Sequence, residues 1–510
     1  MPWSLLKVSL LTALTGCAPM TIEADRPNGD DEPPQAPLSF VTEPMPRPPL
    51  DDGPLCEDPD QLASKALRGH LSSDDAQASV GGVQPIGFVG QASSILGPGD
   101  VDGDGNADLL LGTAFHSLDL PAYVGAAYLL SGPICDDQHV GKATSTWTGK
   151  YLGGFLGQTL GAADISGDGQ LELLVAAPGV PQSAAGRIYA LDPAVGGVAE
   201  DSALFWIEGP EPLSQIGNLD LATGDVNGDG VADLLIGADI REIGGEDAVG
   251  SAFLIHGPVS ETRSLATHPA DASFSGEDRF TRMGGHLAML GDADGDGLGD
   301  LAVSAFNAGP ERTGGVALYL GPHAGDKVFS DGDGVVLGEV FDDYFGTALD
   351  GDADTNGDGV ADMLVSADQA HITAGLPPGP GRTYLFLTPP LGEVAATDAD
   401  AILDGENDGH SAAQANFLGD LDQDGFDDVG IGAFLAGKAY ILYGPILGAT
   451  SLADADVIIE SDDLYFGSEI VNVGDLNGDG WDEVAVGAYG ADPYGLFTGA
   501  VYLFYTGPDS

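Results

Sequence analysis

The sequence predicts an all-β chain, a seven-bladed β-propeller of four-stranded antiparallel blades, on three observations. One acidic loop of fixed pattern recurs seven times, a short branched apolar run follows each copy at once, and a second, glycine-led run closes each period. Short apolar runs bounded by turn residues are buried strands. Units of about sixty residues that cannot bury a face alone must stack on their neighbours.

The first element is a segment with Lys7, an apolar stretch through Leu14, and the sequence Leu14-Thr15-Gly16-Cys17. It is too short to span a bilayer and reads as a signal peptide over residues 1–16. Its end resembles the lipobox of bacterial lipoproteins, which implies lipidation of Cys17; the alternatives are an ordinary cleaved signal or a chance cysteine. Several acyl chains on one residue anchor stably where one chain is marginal. Ala18 in place of Asp resembles the outer-membrane sorting pattern, so the expected location is the bacterial envelope, lipid-anchored at the outer membrane.

Residues 17–59 are rich in proline and acid, with Pro33-Pro34 and Pro48-Pro49 among them, and read as an extended tether. Residues 60–75 form a connector, and residues 76–510 hold the repeats. Cys56 and Cys135 lie in what would be an oxidising compartment. Paired, they staple the N-terminal segment to the first repeat; the alternative is two free thiols.

The repeated loop alternates oxygen-bearing side chains around a glycine turn. Its positions 1, 3, 5 and 9 are Asp100, Asp102, Asp104 and Asp108 in the first copy, and Asp164, Ser166, Asp168 and Glu172 in the second. The third has Asp225, Asn227, Asp229 and Asp233, and the fourth Asp292, Asp294, Asp296 and Asp300. The fifth has Asp354, Asn356, Asp358 and Asp362, the sixth Asp420, Asp422, Asp424 and Asp428, and the seventh Asp475, Asn477, Asp479 and Glu483. Hard cations take six to eight oxygens at short range, and alternate side chains of a tight turn converge on one ion. Position 5 is Asp and position 6 is Gly in every copy, a constancy that unrelated Asp-Gly turns would not reproduce. Calcium, up to seven ions, is the expected structural cofactor. An EF-hand is excluded, because its position 12 must be Glu and here Leu111 stands there inside a strand.

Behind each loop comes a buried strand, such as Leu234-Leu235-Ile236, then a second run, such as Gly250 to Ile255. A strand leading into the loop and a weaker one after the second run complete four per unit. The last unit stops after its third strand. A spare strand-like segment at about Ala76 to Gly82 precedes the first loop, so the N-terminal segment is expected to complete the last blade and close the ring.

These repeats look like the FG-GAP repeats of integrin α-subunit propellers, found also in glycosylphosphatidylinositol-specific phospholipase D and in bacterial surface proteins. Phe345-Gly346 and Phe466-Gly467 carry the Phe-Gly part, with variants at Phe155-Leu156-Gly157, Ile216-Gly217 and Met283-Gly284. The Gly-Ala-Pro part is degenerate, as in Ala176-Ala177-Pro178 and Gly487-Ala488-Tyr489, and the sixth unit departs most, with Ser411-Ala412-Ala413. The resemblance implies that positions 1, 3, 5 and 9 supply side-chain ligands and position 7 a carbonyl, as from Val231 or Trp481. The second loop, with Ser166 and Glu172, is then expected to bind weakest.

Charge bounds the partners. With 80 acidic against 16 basic residues and a net charge of −64, the chain lacks the cations that phosphate contact requires, which argues against nucleic acid. The nine histidines show no ligand spacing and no nucleophile triad is legible, so no enzyme is expected. In so acidic a chain, paired carboxylates carry little information. The longer loops joining second and third strands share one face, where integrin-like propellers meet partners. Arg241, Glu242, Glu311, Arg312, His371, Asp492 and Tyr494 are the candidate contact residues there; the alternative is solvated loops without a role. The expected function is a monomeric, calcium-stabilised surface lipoprotein that binds a protein or glycan and meets the membrane through its lipid anchor only. A structural envelope protein and a polysaccharide-acting propeller enzyme are the rival readings.

Overall fold

The computed structural model describes residues 66–83, 87–116, 123–180, 184–309, 312–369 and 379–508, all within the second of two compact units, Cys56–Ser510. The expected signal peptide and tether, with Cys17 and Cys56, lie outside the described residues, as do residues 60–65, Glu311 and His371.

Two strands open the described chain, β1 (Gly69–Ser72) and β2 (Ala78–Gly81). The first blade follows as β3 (Ile95–Gly99), β4 (Asp108–Thr113), β5 (Ala126–Leu130) and β7 (Ser145–Thr148), with the two-residue β6 (Gln138–His139) between the last two joining the last blade instead. This pattern repeats to give seven separate sheets, the blades of a seven-bladed propeller. Six residues in a row are buried in the second strand of most blades, as in Asp108–Thr113 and Asp233–Ala238. Such a strand is covered on both faces, which is why it reads as a continuous apolar run and not an alternating one.

Each blade has one strand more than the sequence indicates. The four antiparallel strands are joined at their outer edge by a short parallel strand from the following unit, as Gly197–Val198 beside β7 and β6 beside β2. The addition covers an edge that would otherwise present unpaired N–H and C=O groups.

The ring closes through the N-terminal segment. β2 pairs antiparallel with the last strand, Ala500–Tyr505, in the register Ala78↔Leu503 to Gly81↔Ala500. β1, in the stretch read as a connector, pairs parallel with Val457–Glu460 as the outer strand of the sixth blade. One chain end therefore completes two blades. Seven buried apolar clusters follow the ring, each shared by two neighbouring blades; that between the last and first holds Val80, Ile95, Leu109, Leu476 and Leu503.

The recurring glycines are explained at these seams. A Cβ on Gly112, Gly237, Gly432 or Gly487, all in second strands, would lie 2.1–2.3 Å from the carbonyl oxygen of Gly157, Gly284, Gly467 or Gly90 of the adjoining blade. Those partner glycines have φ between 81° and 84°, a region open to glycine at no steric cost. The Phe-Gly and Gly-Ala signatures are thus two halves of one blade-to-blade contact. Gly432→Ala is expected to cost at least about 1–3 kcal/mol through overpacking, read as a lowered midpoint in urea with the slope unchanged. An unaltered midpoint would show that the seam can open without cost.

Three seams carry a second clip near the axis. Asp220 accepts from the Leu287 N–H (2.9 Å), Asp350 from Phe417 (2.8 Å) and Glu469 from Ser93 (2.9 Å), reaching the first strand of the next blade or, at Ser93, the residues leading into it. With His286 and Asn416 they line an axial cavity of about 570 Å³. Burial pushes the carboxyls up, to about 7, about 6 and about 8, and the imidazole down to about 4. A fifth of the Asp220 and His286 side-chain surface still faces the cavity, 20% and 22%, so these groups border a narrow polar channel and not dry core.

Candidate functional site

Each acidic loop joins the first and second strands of its blade, and its position 1 carboxylate organises the turn. In the third loop Asp225 Oδ1 accepts from the N–H of Gly228 (2.8 Å) and Asp229 (3.2 Å), and Oδ2 from Gly230 (2.8 Å). The same bonds recur around Asp164, Asp354 and Asp475. Gly230 and its equivalents sit at positive φ, 80–100°, as the reversal demands.

Position 9 is the first residue of the buried strand, or in the fourth blade the residue just before it, and it ties the loop to the body. One oxygen accepts from the N–H of position 2, as Asp108 from Val101 (2.9 Å), Asp428 from Leu421 (2.9 Å) and Glu483 from Leu476 (2.6 Å). In four blades the other oxygen accepts from the glycine of the Gly-Pro step after the third strand: Gly132, Gly257, Gly321 and Gly444 (2.8–3.0 Å). A Cβ on any of these glycines would lie 2.4–2.7 Å from an atom of the adjacent loop, which is why glycine recurs there.

The donor set fits a hard cation. In four loops three carboxylates each bring an oxygen within 4.8 Å of the others: Asp100, Asp102 and Asp108; Asp164, Asp168 and Glu172; Asp292, Asp294 and Asp300; and Asp420, Asp422 and Asp428. The second loop, expected to be weakest, is among them. Several buried oxygens left without a hydrogen-bond partner fall on ligand positions: Ser166 Oγ, Asp362 Oδ1, Asp422 Oδ1 and Glu483 Oε1. A buried unpaired oxygen is costly, and a cation at each of these four loops would satisfy the one it holds. Burial first, then the neighbouring loop carboxylates, push Asp428 up to about 7 and Glu483 to about 9; for Asp362 the same causes, opposed by Thr355, give about 6.

The candidate contact residues divide. The Arg241 guanidinium is committed within the chain, bonded to Glu211 Oε1 (2.7 Å) and Ser251 Oγ (3.0 Å) and set over the Phe253 ring. Tyr494 packs on Gly81 and edge-on to His139 at 5.7 Å, at the outer strand of the last blade. Asp492 braces its own loop through the Phe497 N–H. Glu242 is exposed. Arg312 lines a cavity of about 380 Å³ with Arg279, Phe280, Phe329 and Phe341. Cys135 is disulfide-bonded, and its partner lies outside the described residues.

Sequence reasoning missed a feature on this same loop face, a connected run of aromatic rings across four blades. Phe434 meets Tyr465 (6.2 Å), which stacks on Tyr489 (4.5 Å); Tyr489 meets Phe88 (6.1 Å), and Phe88 meets Phe115 (5.4 Å). Phe115 then meets Tyr123 (5.5 Å) and Phe155 (5.7 Å). Phe88 and Tyr489 are buried, and the others keep part of their surface open. A backbone signature underlies the run. The residue at one motif position has positive φ in every blade, two before the motif glycine in Phe88, Phe155, Gln215, Arg282, Tyr344 and Tyr465, and two before Ala413 in Ser411 of the sixth blade. That region is uncommon outside glycine, and three of the seven place rings in the run.

The FG-GAP repeat family model matches residues 156–191, 218–248 and 466–504. Integrin alpha-PS2 of Drosophila melanogaster is 38% identical over 165 residues, 30% of this chain and 12% of that protein. Integrin alpha-8 of Gallus gallus is 28% identical over 242 residues, 46% and 22% respectively. Phosphatidylinositol-glycan-specific phospholipase D of Rattus norvegicus is 30% identical over 229 residues, 42% and 27%. The chain thus spans about a quarter or less of these relatives. The solved "Structure of Dos1 propeller" overlaps 82% of this chain and 78% of that one, at a TM-score of 0.39 and 11% identity; the blade count here rests on strand pairing. The chain is a seven-bladed β-propeller with FG-GAP repeats matched at those three stretches.

Proposed function

We propose that this chain is a calcium-stabilised binding module of the bacterial cell surface, anchored through lipid on Cys17 and engaging a protein or glycan through its aromatic loop face. The observation that carries the reading is the aromatic run from Phe434 to Phe155. Partly open aromatic rings give large contact area at low cost in side-chain entropy, and they are enriched where proteins meet partners. Up to seven calcium ions in the loops at the opposite end of the strands would hold that face rigid, with positions 1, 3, 5 and 9 as side-chain ligands. The similarity to integrin α-subunits supports an adhesive role.

The axial cavity bears on the enzyme alternative. Its lining offers carboxylates and one imidazole but neither arginine nor tyrosine, and its main acids are engaged by backbone N–H groups as blade clips. That favours binding over cleavage of a polysaccharide. The test is a glycan array and a pulldown of surface proteins with the full chain, beside a Phe434→Ser, Tyr465→Ser double variant. Capture should fall tenfold or more in the variant while the melting temperature moves by only a few degrees. Equal capture by both would place the binding surface elsewhere.

A further inference from the structure

We infer that Arg68 opposes calcium at the sixth loop, so that docking of the N-terminal strand β1 and filling of that loop weaken each other. The inference rests on the calcium reading above and concerns how one of those sites is regulated.

The segment entering β1 lies against the sixth loop and not merely beside its blade. Leu67, 6% exposed, packs into the cluster that contains Leu421, the loop's second residue. The Leu67 carbonyl accepts from Tyr443 Oη (2.8 Å), and the Arg68 guanidinium stands 5.1 Å over the Tyr443 ring. These contacts aim Arg68 at the loop, where its Nη2 is 3.6 Å from Asp422 Oδ2. Asp422 is position 3, and its other oxygen, Oδ1, is buried without a hydrogen-bond partner. One residue therefore faces a cation of its own chain with one oxygen and leaves the second for an ion.

The opposition follows from charge. A doubly charged ion among Asp420, Asp422, Asp424 and Asp428 would lie within a few ångströms of the guanidinium. Arg68 is half exposed, with 50% of its side-chain surface open, so water and salt screen the repulsion. At such distances a +1/+2 repulsion in a water-like medium is worth about a threefold to tenfold change in affinity. Linkage is reciprocal, so calcium at this loop must weaken β1 docking by the same factor. β1 is held by backbone pairing with Val457–Glu460 and by little burial of its own. A factor of that size is therefore visible in its opening.

Two measurements on the full chain test this. In calcium titration calorimetry, Arg68→Gln should tighten one site about threefold to tenfold, and the gain should vanish in an Asp420→Ala background, which removes the sixth loop's first ligand. In hydrogen exchange of the natural sequence, the amides of residues 69–72 should exchange about threefold to tenfold faster at saturating calcium than in chelator, while the amides of Ala78–Gly81 do not. Unchanged or weaker affinity in Arg68→Gln, or slower exchange in β1 with calcium, overturns the coupling and leaves the calcium reading standing. Absence of any calcium binding overturns both.

Discussion

In excess chelator the full chain is expected to melt on the order of 10 °C lower than in millimolar calcium. An ion at ten times its Kd stabilises by about 1.4 kcal/mol, hence about 10 kcal/mol over seven independent sites, and a body this size shifts by about 1 °C per kcal/mol. The effect should grow with pH. Asp362, Asp428 and Glu483 are held up to about 6, about 7 and about 9 without metal, whereas in the unfolded chain they ionise near 4. A raised acid favours the folded chain while protonated, so its contribution is present below about pH 4 and is lost as pH rises through the folded value. The metal-free fold therefore weakens from pH 5 to pH 8, where the calcium-loaded loops have their carboxylates ionised as ligands. The gap between the two melting curves should be small at pH 5 and widest near pH 8. Coincident curves at pH 8 would remove calcium from the account of stability.

The loops and the blade count were legible because each imposes residue types at fixed spacing. Oxygen ligands must alternate around a glycine reversal, as from Asp225 to Asp233, and a strand buried on both faces must follow, as Leu234 to Ile236. Ring closure was legible by counting, since the last unit lacks a fourth strand and the N-terminus has one spare. The fifth strands were not legible. Gly197–Val198 and Arg263–Ser264 pair through two residues each at a partly exposed edge, so no side-chain periodicity marks them. The axial clips were hidden for a different reason. Asp220, Asp350 and Glu469 are three carboxylates among 80 acidic residues, and only the structure distinguishes them by their backbone partners. The aromatic run draws residues from four blades, from Phe88 to Tyr489, and sequence distance conceals their contact. Its local trace, an aromatic two residues before a motif glycine in Phe88-Val89-Gly90, Phe155-Leu156-Gly157 and Tyr465-Phe466-Gly467, could have been found by aligning the seven motifs on the glycine instead of on the phenylalanine.

Removing residues 66–82 is expected to abolish cooperative folding, because this one segment completes two blades. Without β2 the last strand loses its partners from Tyr502 to Ala500 and Leu503, and the cluster between the last and first blades loses Ala78 and Val80, 1% and 0% exposed. Without β1 the sixth blade loses its outer strand as well. A propeller escapes the hazard of unpaired edges by closing on itself, and an open ring presents a long apolar edge to other chains. The truncated chain should therefore elute as aggregate in size-exclusion chromatography and show no single unfolding transition. Val80→Asp isolates the closure from the loss of chain: it keeps every backbone bond and buries one unpaired charge in that cluster, at a cost of about 3–5 kcal/mol. It should lower the urea midpoint while the chain still elutes as a monomer. A truncated chain that melts within a few degrees of the full one would show that five complete blades, a sixth without its outer strand and an open seventh hold without the clasp, and the N-terminal strands would then be ornament to a ring already stable.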